Sequence, residues 1–177
     1  MTRARVAAAI AGIVTAVLLQ ATLIGPAFAP LAVSLPALVV AAVALVDGPA
    51  VGMSFGFATG LATDLASRHP AGLLALCWLG LGLVCGALGE RRSRPRDAAT
   101  AGAAAALAGS AATLLLVAVD GGGSARDAVV WLLPTAFVGT VLGLGIVPFV
   151  RAMLHTEYLR APQPVYTELV LGPSRGR

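Results

Sequence analysis

Lysine is absent from this 177-residue chain, and charge of either sign is scarce: the 12 arginines and 8 acids amount to 11% of the residues, against 58% hydrophobic. A soluble domain of this size carries about a quarter of its residues as charged groups. So few charges do not cover such a surface, and the apolar excess is expected to face lipid. Aromatic residues reach only 5%, with Trp78 and Trp131 the sole tryptophans. That is little material for an aromatic-lined small-solute pocket. The net charge of +4 and the pI near 10.0 do not indicate nucleic acid, because the arginines form no basic face interleaved with aromatics. Cysteine is limited to Cys77 and Cys85 in one apolar run. Eight residues of helix separate them by roughly 12 Å, too far for a disulfide, and both read as buried thiols. The two histidines, His69 and His155, fall near opposite ends of the apolar segments. No His, Cys or Asp cluster has metal-ligand spacing. The chain is therefore expected to be non-enzymatic, with no catalytic, cofactor or metal site.

What the chain has in abundance is apolar runs, at a mean hydropathy of +0.91. Charged and turn-forming residues cut out six, at about 6–24, 31–46, 50–66, 71–88, 98–119 and 128–150. The first is 19 residues, or roughly 28 Å as a helix, enough to cross a bilayer core. Asp47-Gly48-Pro49 is a strong turn between the second and third, and Pro36 reads as a kink in the second. These two are short; merged, they would leave five spans. The expectation is an all-α integral membrane protein, a bundle of about six transmembrane helices followed by a polar cytosolic tail over 151–177. Ala27-Phe28-Ala29 has the form of a signal-cleavage site, but the preceding run exceeds the usual signal core and reads as an uncleaved anchor.

The arginines set the orientation. With the N-terminus inside, the inner segments hold ten, including Arg3, Arg5, Arg91, Arg92, Arg94, Arg96 and Arg151, and the outer loops hold Arg68 and Arg126. That asymmetry predicts both ends in the cytoplasm. The cluster Arg91, Arg92, Arg94 and Arg96 is also a candidate contact for anionic lipid, worth about 1 kcal/mol per residue near the surface.

Within the third run, Gly52, Gly56, Gly60 and Asp64 recur every four residues and share one helical stripe. Glycines so spaced let a second backbone approach closely in lipid. Two uses fit equally: packing inside the chain's own bundle, or a seam for a partner's helix. Asp64 is the one carboxylate well inside an apolar run and is a candidate polar anchor; four residues before Arg68, it also suits an i,i+4 ion pair. Gln20 is a second candidate anchor, suited to an interhelical hydrogen bond. Gly52-Met53-Ser54-Phe55-Gly56 matches a serine-hydrolase pattern that works only at a strand-to-helix turn. Here it sits inside a hydrophobic helix. Gly80-Leu81-Gly82 with Gly86 lacks the strand a dinucleotide site needs. Asp120 to Asp127 has an Asp-Gly…Ala-Arg start resembling CDP-alcohol phosphotransferases, without their later paired aspartates.

Three segments together resemble the rod shape-determining protein MreD family: Leu18-Leu19-Gln20-Ala21-Thr22, Gly56-Phe57-Ala58-Thr59-Gly60-Leu61-Ala62-Thr63-Asp64-Leu65, and Pro70-Ala71-Gly72-Leu73-Leu74-Ala75-Leu76. The resemblance runs to about residue 150 and is carried mostly by 16–90. It implies a multi-pass subunit of the bacterial plasma membrane, without cofactors. That subunit serves cell shape and cell-wall elongation, scaffolding a bitopic MreC-like partner near MreB, RodA and a penicillin-binding synthase of peptidoglycan. Gly52, Gly56 and Gly60 then become candidate partner-helix contacts. The bundle is also similar to the substrate-binding subunits of energy-coupling-factor vitamin transporters, which supplies the alternative function.

Overall fold

The computed structural model describes residues 3–28, 33–66, 72–89, 97–120 and 125–154, and all their regular structure is helical, with no strand. Helix α1 (Arg3–Leu19) passes through a π-helical turn (Gln20–Ile24) into the short α2 (Gly25–Ala27). Then follow α3 (Leu35–Asp47), α4 (Pro49–Ala66), α5 (Leu73–Gly89), α6 (Asp97–Asp120), α7 (Ala125–Val130) and α8 (Leu132–Leu154). Two stretches, Val6–Ala27 and Leu132–Leu154, are long and apolar enough to cross a membrane.

Helix α3 is the axis of the bundle. It touches α1, α4, α5, α6 and α8, and nine of its residues are buried. A helix apolar on every face has to be enclosed, and the alanines at 37, 41, 42 and 44, each at 0% exposure, let its neighbours come close. Pro36 does not kink it, contrary to expectation. The helix begins only at Leu35, with Ser34 as N-cap, so Pro36 falls in the first turn, where a missing N–H costs nothing. At the other end Gly48 adopts φ 86°, a conformation that favours glycine, and Pro49 opens α4 at once.

The α4–α5 contact is made backbone to backbone. Gly52, Gly56 and Gly60 are buried and face α5. A Cβ at Gly52 would lie 2.6 Å from the carbonyl oxygen of Gly82, one at Gly56 would overlap the Trp78 carbonyl, and one at Gly60 would lie 2.5 Å from Ala75 Cα. Gly82, Gly86 and Gly89 continue the seam, packing on Gly52, Pro49 and Leu45. The two helices are thus antiparallel and in register over their whole shared length. This corrects the partner-helix expectation for Gly52, Gly56 and Gly60: the chain's own α5 fills the stripe, leaving no width for a second helix. The periodicity identified the face but not its occupant. Gly102 makes a second such crossing, with Thr140 of α8.

Candidate functional site

The polar groups inside this apolar frame are few, and each is spent on a helix end. The first turn of a helix has N–H groups without intrahelical partners, and in an apolar interior each must find another acceptor. In α3 the accounting closes. Leu35 N–H donates to Gln20 Oε1 at 2.7 Å, Pro36 has no N–H, Ala37 N–H reaches Ser34 Oγ at 3.3 Å, and Leu38 N–H reaches the Ser34 carbonyl at 3.1 Å. The Gln20 amide also donates through Nε2 to the Val33 carbonyl at 2.9 Å. Gln20 opens the π-helical turn, where Gly25 N–H closes on its carbonyl, so a widened turn of α1 carries the side chain that ties it to α3. Gln20→Ala is expected to lower stability by about 1–3 kcal/mol, the cost of leaving such groups unpaired. Gln20→Glu keeps the acceptor and loses the donor, and should fall between. Thermal melting of the three proteins measures the order.

Asp64 does for α5 what Gln20 does for α3. It lies at the end of α4 with 2% exposure. Oδ2 accepts from Gly72 N–H at 2.8 Å and Ala75 N–H at 3.2 Å, and Oδ1 from Leu74 N–H at 3.3 Å. A carboxylate here also meets the positive end of the α5 dipole. Gly72 holds φ 102°, which turns its N–H inward and favours glycine. The glycine seam and the carboxylate form one device. Close approach at Gly60 brings α5's first turn within reach of Asp64, and Asp64 then fixes the register. Arg68, the partner expected for Asp64, lies outside the described residues, as do Arg91, Arg92, Arg94 and Arg96, His69 and His155.

A third polar contact was not foreseen from the sequence. Asp97, in the first turn of α6, pairs with Arg151, in the last turn of α8, at 2.5 Å, with side-chain exposures of 6% and 25%. Each charge also sits at the helix end whose dipole suits it. Their 54-residue separation hid the pair; an acid opening one helix and a base closing an antiparallel one were the available signals. Asp97→Asn and Arg151→Gln should each cost about 2–3 kcal/mol, somewhat below the range for fully buried pairs. The double variant should lose less than the two losses added, as a thermodynamic cycle on chemical unfolding reads directly.

Other sequence features have ordinary surroundings. Ser54 lies mid-helix in α4 and donates to the Ala50 carbonyl at 3.0 Å, so the serine-hydrolase pattern has no nucleophile turn there. Cys77 and Cys85 are free thiols; Cys85 is buried, but Cys77 is only partly so, because it sits off the α5 seam. Among the described residues no three His, Cys, Asp or Glu side chains group as metal ligands would. The larger cavity, about 300 Å³, lies between α1 and the walls of α3, α4 and α8 and is apolar except at Asp47 and Ser54. No known protein family, curated protein or solved structure matches this chain.

Proposed function

We propose that the chain is a six-span protein of the bacterial plasma membrane with both ends in the cytoplasm. Its role is that of a non-enzymatic scaffold of the cell-wall elongation machinery, holding an MreC-like single-span partner close to the peptidoglycan synthases. Membrane placement is supported by the outward faces. Leu65, Leu76, Leu133, Phe137 and Phe149 are each about two-thirds or more exposed, and they sit on α4, α5 and α8, far more apolar surface than a soluble monomer leaves in water. On α8, exposed Leu133, Phe137, Val141 and Leu144 run opposite buried Thr135, Gly139, Gly143 and Val147, a lipid face set against a bundle face.

The observation that carries the scaffold reading concerns the residues of the resemblance. Gln20, the glycines 56 and 60, Asp64 and Gly72 are the joints of the bundle, each fixing one helix on another. A sequence pattern that encodes a rigid frame suits a protein whose work is to hold others in place. Partners then meet the outward surfaces rather than the glycine stripe.

The test is a tagged pull-down from native membranes in mild detergent, with mass spectrometry of the eluate. A single-span MreC-like protein with a cell-wall synthase is the expected result, and depletion of the protein should round the cells. Recovery of an ATPase pair with a coupling membrane subunit would overturn the scaffold in favour of a transporter component.

A further inference from the structure

Helix α1 is the loosest element of the bundle: among its described residues only Ala16 is buried. The gap beside it is the cavity of about 300 Å³, bounded by Val6 to Ile13 of α1, Val39 to Asp47 of α3, Val51 to Ala58 of α4, and Val150 to Leu154 of α8. Seven residue steps along α1 make the slot roughly 10 Å long, hence about 30 Å² in section, whereas a helix about 10 Å across needs about 80 Å². A partner's helix is too thick for it. An extended hydrocarbon chain is not. The Ser54 hydroxyl on its wall already donates to Ala50, so the slot asks for no polar partner along its length.

Only one end differs. Asp47 closes the slot beside the ends of α3 and α8, and α1 begins there with Arg3 and Arg5 in its first turn. Both signs of charge thus gather at one mouth, and in the orientation proposed above that mouth faces the cytoplasm. A zwitterionic headgroup, with an ammonium for the carboxylate and a phosphate for the guanidinium side, complements it better than an anionic one. We propose that the slot holds one acyl chain of an amine-bearing zwitterionic phospholipid of the cytoplasmic leaflet, its headgroup over Asp47 and the start of α1. The bound chain fills the gap that α1 leaves and completes the bundle's inner half.

This inference rests on the membrane reading, and the experiment separates the two. Carbonate extraction comes first; release of the chain into the soluble fraction would sink the membrane placement and this site with it. Full-length protein reconstituted in discs of mixed phosphatidylethanolamine and phosphatidylglycerol is then extracted for native mass spectrometry. One phosphatidylethanolamine retained per chain is expected. Gly12→Phe fills the slot from the α1 side, where a Cβ meets nothing within 4 Å, and should cut occupancy at least about tenfold. Ala58→Leu on the opposite wall gives the same readout should the first variant fold poorly. Asp47→Asn should keep a bound lipid but lose most of the preference for the amine headgroup. An inserted protein that retains no lipid, or equal retention in both slot-filling variants, would overturn the site while leaving the scaffold reading intact. Equal headgroup preference in Asp47→Asn would overturn the headgroup assignment, and a polyprenyl lipid or peptide in the slot would overturn the occupant.

Discussion

Gly56→Ala should cost at least about 3 kcal/mol, at or beyond the upper end of ordinary overpacking penalties, and Gly56→Leu should yield little folded protein. The reason lies in what the new Cβ meets. At Gly56 it would overlap the carbonyl of Trp78 and come within 3.2 Å of Val40 Cγ1. The first obstacle is backbone, so no rotamer change relieves it. The α4–α5 seam must open, and the opening spreads to Gly60 and thus to the Asp64 contact one turn further on. Gly12→Ala and Gly80→Ala are the internal controls. Both glycines are helical, and a Cβ at either meets nothing within 4 Å; alanine there should leave stability unchanged or raise it by about 0.5–1 kcal/mol through helix propensity. Thermal melting of the three variants separates the two classes. Equal behaviour of all three would mean that α4 and α5 are not packed backbone to backbone. Loss of a partner on Gly56→Leu is consequently no evidence for docking on the stripe, since the bundle itself fails.

Much of this architecture was legible in the sequence because lipid-scale hydrophobicity and turn chemistry are local signals. The helices fall on the six apolar stretches within a few residues, except that the second begins late, at Leu35. That shift was readable, since Ser34 followed by Leu35-Pro36 is a cap with proline in the first turn, and a proline so placed does not kink. The glycine stripe announced a close approach, because spacing fixes a face. What spacing does not fix is the neighbour: whether α5 or a foreign helix covers that face depends on a contact between two segments, and neither period contains it. Asp97 with Arg151 illustrates the same limit. Each residue read as a boundary charge with a topological role, and only the antiparallel packing of α6 on α8 turns two boundary charges into a pair. Gln20 was legible as a polar group with an interhelical bond to make; its partners, being backbone groups of residues 33 and 35, carry no sequence signature.

Asp64→Ala is expected to be the most damaging change to a single side chain, at about 3–5 kcal/mol. That sum reflects three backbone donors, on Gly72, Leu74 and Ala75, left in an apolar setting at about 1–3 kcal/mol each before relaxation and partial rescue by water. Asp64→Asn should cost less. One oxygen remains, and turned toward the Oδ2 position it keeps Gly72 and Ala75 while its amide faces the N–H of Leu74, donor against donor. The loss should therefore fall near 1–2 kcal/mol, in the range of a damaged helix cap. Hydrogen exchange tests the mechanism more sharply than melting. The amides of Gly72, Leu74 and Ala75 should lose protection first and most, with the middle of α3 unaffected until global unfolding. A carboxylate that served instead as a proton or ligand site would give the opposite pattern in Asp64→Asn, with unchanged protection at α5's first turn and an unchanged melting temperature. The position of Asp64 argues for the cap. It lies one helical turn beyond Gly60, where Ala75 Cα would stand 2.5 Å from an added Cβ. Backbone brought that close delivers its N–H groups to the carboxylate and leaves no gap for a substrate between them.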